Sequence, residues 1–567
     1  MKRAIIYQLL PRLFGNSNPS PTLNGSKSEN GCGTFAHIND AAISAIKDLG
    51  ATHIWLTGII RHATQTDYTP FGIPGAHPDT VKGKAGSPYA VTDYFDVDPD
   101  LATEVNNRMN ELGDCIARIH NGGLQVVIDF IPNHTARQYS SIEGKKTGRD
   151  LGEGDFTHEY FHPRNHYYYL PDTKLALPTP PGDSPYQEVP AKATGNDCFS
   201  PNPSVTDWYE TVKLNYGVHY PSGQRYFDPV PATWHYMLEV LLFWCKKGVD
   251  GFRCDMVEMV PVEFWCWVIP QVKTINPNLI WIAEVYDPNR YMEFLSPEGF
   301  DFLYDKVGMY DSIRELIEGQ GNTRNITSIW QQQEGFGHRM LRFLENHDEQ
   351  RIASTFVGGT GKKAISGFAV LALSGMGPIM VYAGQEFGEQ ANGAEGFSGD
   401  DGKTSIFDYS TVPVLVKWNN YGFWNDQQLS AAEKSLRNCY QTILSLAKNE
   451  LCFSQGSFFD LQYANLNNAQ YPAHKMYAFL RYKHQDCALV VSSFYESDTW
   501  IRIIIPKEAW QATGLNPLGH YELRSLTEPG ESLSCFAKAT YDADGGTSGL
   551  VLELPAYGFK VFRIFAT

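Results

Sequence analysis

Four short apolar runs in this chain each end in ionisable side chains. They read Asp129-Phe-Ile-Pro-Asn-His134, Gly251-Phe-Arg-Cys-Asp255, Ile282-Ala-Glu284 and Glu345-Asn-His-Asp348. A single Asp behind a strand is ordinarily a turn or capping residue. Four such runs in succession are hard to explain by capping, because burying like charges together is costly and persists mainly where shifted proton affinities are used. Two carboxylates facing a neutral substrate can break a glycosidic bond. One attacks the anomeric carbon, and the other protonates the leaving oxygen and later activates water. Arg253 stands two residues before Asp255, on the same face of an extended strand, where its charge favours an ionised carboxylate.

Such residues work together only if the fold brings them to one place. Ala4–Leu10, His53–Leu56, Gln125–Ile131, Gly251–Cys254, Leu279–Ala283, Phe300–Leu303, Leu341–Leu344 and Pro378–Tyr382 read as strands. Asp40–Leu49, Glu104–His120, Ala232–Lys247 and Ser435–Lys448 carry apolar residues at helical spacing. The alternation predicts an α/β chain with a (β/α)8 barrel, a doubly wound open sheet being the alternative. In such a barrel the C-terminal ends of the strands converge on one mouth, whatever their separation in sequence. Between His134 and Ala232 lie roughly a hundred residues rich in Pro and aromatics, including Leu175–Pro185, too many for a structureless loop. The expected division is a barrel over 1–134 and 231–450, an inserted subdomain over 135–230, and a C-terminal domain over 451–567. In the last, Met476–Tyr482, Ala488–Phe494, Trp500–Ile505, Leu550–Leu554 and Phe559–Phe565 alternate as strands of an antiparallel β-sandwich.

Composition narrows the function. With 567 residues the chain is long enough for several domains of about 150 residues. Its 63 acidic against 46 basic residues leave a net charge of −17, which repels phosphate backbones and anionic lipid, so neither nucleic acid nor a membrane surface is expected as a partner. A neutral, hydroxyl-rich substrate meets no such barrier. The apolar stretch Ala364–Gly384 has the length of a membrane span, but Gly375-Met-Gly-Pro378 divides it into a buried helix and a strand. The basic, apolar start Met1–Leu10 runs into Pro11-Arg12 without a cleavage pattern and reads as a strand rather than a leader. Ten scattered cysteines without a CxxC pair suit reduced thiols and a cytoplasmic location. His158-Glu-Tyr-Phe-His162 has the spacing of a zinc protease motif, but Pro163 and the nearby glycines deny it the helix that motif needs. The sequence carries no signal for an oligomeric state.

The four runs, in this order and on these strands, resemble the signatures of the α-amylase superfamily of retaining α-glucan-active glycoside hydrolases. The resemblance extends over essentially the whole chain. It includes Ala45–Leu56 across strand two, Ser87-Pro-Tyr-Ala-Val-Thr-Asp-Tyr94, Tyr382-Ala-Gly-Gln-Glu386 after strand eight and Leu554-Pro-Ala-Tyr-Gly558 near the end. It implies that Asp255 is the nucleophile and Glu284 the general acid/base. Asp348 would hold sugar hydroxyls and help keep Glu284 protonated, and Arg253 would keep Asp255 ionised. His134 and His347 would hydrogen-bond the sugar, Tyr89 would stack beneath it, and Asp129 would brace the mouth. The substrate implied is a starch-derived α-glucan or malto-oligosaccharide, hydrolysed by double displacement, with glycosyl transfer through the same intermediate as the alternative. Thr211-Val-Lys-Leu-Asn215 resembles an auxiliary motif of the neopullulanase group. Where many α-amylases follow the nucleophile with a Lys-His pair, this chain has Glu258 and Met259, which bears on endo-amylase specificity and on a calcium contact made near that His. The loop Asn16–Gly33 lacks the acidic pattern of a calcium site. No cofactor is expected in catalysis, and structural calcium is left open.

Overall fold

The computed structural model describes residues 3–142, 150–180, 184–543 and 547–567; positions 181–183 of the Pro-rich run and the first two residues lie outside them. Eight parallel strands form the barrel: β1 (Ile5–Leu9), β2 (His53–Leu56), β3 (Gln125–Phe130), β4 (Gly251–Cys254), β5 (Ile280–Ala283), β6 (Phe302–Tyr304), β7 (Met340–Leu341) and β8 (Ile379–Tyr382). The sheet order is β7-β6-β5-β4-β3-β2-β1-β8. The ring closes through a single parallel bridge between Arg342 and Ile379. There the Arg342 N–H donates to the Pro378 carbonyl at 3.0 Å and the Met380 N–H to the Arg342 carbonyl at 2.9 Å. Gly377 is required at this seam, because a Cβ there would stand 2.3 Å from the Met340 carbonyl oxygen.

Period-two alternation sorts each strand into an inner and an outer face. Ile6, Trp55, Val127, Ile282, Tyr304, Leu341 and Met380 fill the lumen as one cluster, so the barrel has a packed floor rather than a pore. The outer positions pack on the surrounding helices α1 (Asp40–Leu49), α2 (Arg108–Asn121), α3 (Ala232–Lys246), α4 (Val262–Lys273), α5 (Asp311–Ile317), α6 (Ala364–Ser374) and α7 (Ala431–Asn449). The long apolar stretch is thus α6 and β8, divided at Gly375–Pro378. No helix among the described residues is long and apolar enough to cross a membrane. Six barrel strands lie within one residue of the sequence expectation at each end, and two depart further. β6 includes Tyr304, and β7 ends at Leu341 instead of running to Leu344, because Phe343 and Leu344 are already turning toward Asp348 while remaining buried.

Between β3 and α3 the chain forms short antiparallel pairs. His134–Ala136 lies on Thr211–Lys213, Tyr169–Leu170 on Ala191–Lys192, and Val218–His219 on Gln224–Arg225. The HExxH stretch has no helix; it runs through turns, with the His158 side chain 77% exposed.

The C-terminal region is an antiparallel sandwich. Strands β9 (Ser457–Asp460), β10 (Met476–Lys483), β11 (Asp486–Ser493), β12 (Thr499–Ile503), β13 (His520–Ser525), β14 (Ser532–Phe536), β15 (Leu550–Leu554) and β16 (Phe559–Ala566) form a six-stranded sheet, ordered β9-β10-β11-β16-β13-β14, and a β12–β15 ribbon. Both contribute to one apolar core. Buried guanidinium groups tie this sandwich to the barrel. Arg481 of β10 donates to the Ser374 carbonyl at the C-terminus of α6 at 2.7 Å, and to the Cys452, Phe453 and Gly456 carbonyls at 3.2, 3.1 and 2.8 Å. Arg3 and Arg342 reach the same helix end, through the Ala372 carbonyl and the Ser374 hydroxyl. Cations suit the negative end of a helix, and the orphan carbonyls there need donors. All ten cysteines are unpaired. Replacing Arg481 by Met would strand several buried carbonyls. Arg481→Met should lower stability by about 3 kcal/mol or more, read as a fall in the urea midpoint; an unchanged midpoint would remove the clamp.

Candidate active site

The strand register sets the site. Arg253 on β4 pairs with Asp129 on β3 and with Ile282 on β5, which points all three inward at one level of the lumen, the two charged groups resting on the apolar floor to which Ile282 belongs. Two residues further on, at the same inward parity, come Asp255 and Glu284. The ladder continues past the strand ends, with the Asp255 N–H donating to the Phe130 carbonyl at 2.9 Å and the Glu284 N–H to the Cys254 carbonyl at 3.1 Å.

Arg253, fully buried, is the hub. Its Nη1 lies 2.8 Å from Asp255 Oδ1 and 3.3 Å from Asp129 Oδ1. Nη2 lies 2.9 Å from Glu284 Oε2 and 4.0 Å from Asp348 Oδ2, and Nε donates to the Tyr304 hydroxyl at 3.1 Å. One guanidinium therefore faces four carboxyl groups. Burial pushes Asp255 well above the usual carboxylate range. Arg253 opposes the shift without cancelling it, and Glu284, Asp348 and Asp129 add to it. Asp129 is pushed up to about 6, again by burial against the pull of Arg253. Asp348 is also raised by burial. Its side chain is nevertheless 41% exposed, the most open of the four.

A second chain of contacts fixes the aromatic wall. The Gln8 amide donates to His347 Nδ1 at 2.8 Å, so the neutral ring carries its proton on Nε2. That nitrogen lies 2.5 Å from the Tyr89 hydroxyl and 3.1 Å from Asp348 Oδ2. Tyr89 donates onward to Asp129 Oδ1 at 3.4 Å, and its ring stacks on His347 at 5.2 Å. Asp129 is further held by the Trp55 indole N–H at 3.1 Å and the Gly58 N–H at 3.3 Å. Burial and the charge of Arg253 hold His347 well below its ordinary value. Burial and Lys213 depress His134 to about 3, so both histidines are neutral hydrogen-bonding groups.

The structure thus brings Asp129, Arg253, Asp255, Glu284, His347, Asp348 and Tyr89 into one connected group. His134 belongs to its flank: it is buried, with Nδ1 3.1 Å from the Asn133 amide nitrogen and its ring tilted against Trp208 at 5.2 Å. Sequence reasoning did not single out Gln8, Trp55 and Tyr304, although inward parity on β1, β2 and β6 marks each of them. It also missed what the departure at Glu258 and Met259 does. Glu258 accepts the Tyr286 and Asp287 N–H groups at 2.7 and 3.0 Å, while the Lys213 ammonium reaches the Met259 carbonyl at 3.1 Å. Among the described residues, no group of three or more His, Cys, Asp or Glu side chains is placed to hold a metal ion. The Asn16–Gly33 loop is held by amides instead. Asn30 Oδ1 accepts the Thr22 N–H at 2.8 Å, and the Asn16 amide donates to the Asn30 and Ser410 carbonyls at 3.0 and 2.9 Å.

The chain is similar to several known proteins. The chain is 23% identical over 481 residues to α-amylase 3 of Dictyoglomus thermophilum, covering 80% of this chain and 79% of that one. It is 21% identical over 405 residues to neopullulanase 2 of Thermoactinomyces vulgaris, covering 68% and 57%, in keeping with the Thr211–Asn215 resemblance. Against several curated relatives the chain spans about half of their length. In fold it is similar to the crystal structure of a maltogenic α-amylase from Thermotoga neapolitana, with a TM-score of 0.62, 19% identity and coverage of 100% and 99%. The family profile described as "Alpha amylase, catalytic domain" matches residues 8–439, from β1 through α7. A match over most of the chain, on a barrel whose strand ends gather these carboxylates, shows that this protein belongs to the α-amylase family of glycoside hydrolases.

Proposed function

We propose that the protein is a retaining α-glycosidase that hydrolyses α-glucosidic bonds in starch-derived glucans or malto-oligosaccharides by double displacement. Asp255 attacks the anomeric carbon, and Glu284 protonates the leaving oxygen and then takes a proton from water. Asp348, the most exposed of the four carboxyl groups, holds sugar hydroxyls; Tyr89 supplies the stacking face, and Asp129 braces the mouth. His347 and His134 stay neutral and hydrogen-bond without adding charge. We read 135–230 as a subdomain inserted in a barrel of 1–134 and 231–450, with 451–567 as a separate sandwich. Ten unpaired cysteines suit a reducing compartment such as the cytoplasm.

The observation that carries this reading is the grip of one guanidinium on two carboxylates. Its terminal nitrogens lie 2.8 Å from Asp255 and 2.9 Å from Glu284. A shared fork favours the close spacing, about 5–5.5 Å, of a nucleophile and an acid/base, over the roughly 6.5–9.5 Å that admits a water in inverting enzymes. Relatives point the same way: the names of the proteins it resembles include α-amylase, neopullulanase and cyclomaltodextrinase.

The stereochemical course tests the mechanism. Proton NMR of maltoheptaose cleavage, recorded before mutarotation, should show the α-anomer first; a first-formed β-anomer overturns it. The product profile on maltoheptaose, panose and pullulan reads hydrolysis against glycosyl transfer and α-1,4 against α-1,6 preference, and longer oligosaccharides as main products would favour transfer. Asp255→Asn should lower kcat more than a hundredfold, about 2.7 kcal/mol, while oligosaccharide binding persists. A pH profile checks the electrostatics. The nucleophile acts ionised and its proton affinity is raised, so kcat/KM should fall with decreasing pH already above pH ~3.9, the value of a free Asp. An acid limb below that value would exclude Asp255 as the titrating group.

A further inference from the structure

The two oxygens of Glu284 have different surroundings. Oε2 faces Arg253 Nη2 at 2.9 Å and accepts the Met256 N–H at 2.9 Å. Met256 itself has a left-handed backbone, with φ at 43°, which is uncommon for a non-glycine residue. A guanidinium and an amide on one oxygen disfavour a proton there. Oε1 is the oxygen left to carry the proton, and the Tyr286 hydroxyl donates to it at 2.5 Å.

Tyr286 does not reach Oε1 on a free loop. Glu258 binds the Tyr286 N–H at 2.7 Å and the Asp287 N–H at 3.0 Å, and Arg290 Nη1 donates to the Glu258 carbonyl at 3.1 Å. The Glu258 carboxylate thus fastens the loop behind β5. Lys213, from the region inserted after β3, holds the neighbouring Met259 carbonyl. We propose that Tyr286, clamped through Glu258, is a positioning residue for the acid/base: it holds Glu284 Oε1 in line with the glycosidic oxygen and stabilises the carboxylate left once its proton has passed to the leaving group.

This rests on the reading of Glu284 as acid/base. In the first step the proton on Oε1 passes to the leaving oxygen as the anomeric C–O bond breaks and the bond to Asp255 forms. The Tyr286 hydroxyl then donates to the carboxylate left behind. In the second step the oxygen of the incoming water bonds to the anomeric carbon as the bond to Asp255 breaks, and a proton of that water returns to Oε1. Tyr286 keeps its own proton throughout. The titratable and charged groups facing Glu284 are Arg253 and Asp255 from β4, Tyr304 from β6, His347 and Asp348 behind β7, and Tyr286 itself. Of these, Tyr286 alone contacts Oε1 among the described residues.

Tyr286→Phe removes the donor and keeps the ring. kcat on maltoheptaose should fall about tenfold with KM within about twofold, and the alkaline limb of the profile should move to higher pH, because the ionised acid/base has lost a hydrogen bond. kcat/KM for 2,4-dinitrophenyl α-maltoside, whose leaving group needs no acid, should stay within about twofold. Glu258→Ala should reproduce this pattern by releasing the loop, and Glu258→Gln, which keeps an acceptor, should restore part of the loss. Equal losses on both substrates, or an unmoved alkaline limb, would overturn the proposal. Glu284→Gln separates it from the underlying reading. If the dinitrophenyl substrate rescues Glu284→Gln but Tyr286→Phe leaves the limb unmoved, only the positioning role falls. If Glu284→Gln is not rescued, the acid/base assignment falls, and this proposal with it.

Discussion

A single buried cation organises the mouth of this barrel. Arg253 has no access to solvent, and a guanidinium so placed is tolerated only with anions and acceptors around it. Conversely, four carboxyl groups converging on one mouth would drive one another toward neutrality without a fixed positive charge among them. Each requirement answers the other. Nη1, Nη2 and Nε point at different residues, so the rigid, planar fork converts a charge balance into a geometry. A lysine could supply the charge but not the simultaneous reach to β3, β4, β5 and β6. The apolar lumen below supplies the low dielectric that makes these contacts strong, and Trp55, Tyr89 and Tyr304 add aromatic faces 5.4–5.6 Å from the guanidinium carbon.

Much of this was written in the sequence in readable form. Inward parity two residues apart ties Arg253 to Asp255 and Ile282 to Glu284 without any coordinates, because a strand has only two faces. The eight barrel strands and five of the sandwich strands follow from apolar periodicity, whereas β9, β13 and β14 were not read from it. What was not readable has a common cause. The parts played by Gln8, Tyr304, Glu258 and Tyr286 depend on loop paths and on pairings between residues far apart in the chain. Glu258 looks like a loss when set beside the family pattern, and only the backbone N–H groups of Tyr286 and Asp287 show what it holds. β7 was misread for a related reason. Leu341–Leu344 is apolar apart from Arg342, and hydrophobicity alone does not tell a pleated residue from one already turning into the mouth.

The proton affinities qualify one expectation about Arg253. Proximity to its charge suggested an ordinary, ionised Asp255, whereas burial outweighs that charge and leaves the carboxyl elevated. The site therefore holds Asp255, the proposed nucleophile, closer to neutrality than a solvated aspartate. A carboxylate shielded from water is the stronger nucleophile, and the sugar that develops positive charge at its anomeric carbon would meet an anion held at Oδ1 by Arg253.

The way the barrel closes carries a mechanical consequence. β3, β4 and β5 are joined by continuous ladders, whereas β7 is two residues long and meets β8 through the lone Arg342–Ile379 bridge. Compliance in a closed ring concentrates where the cross-links are fewest. The stiff arc bears Asp255 and Glu284, the pair whose mutual spacing would define the proposed reaction. The pliant arc bears Asp348, to which that proposal gives the task of following the sugar ring as it flattens. Rigidity and give are thus distributed around one cylinder in the way the proposed roles of these carboxylates require.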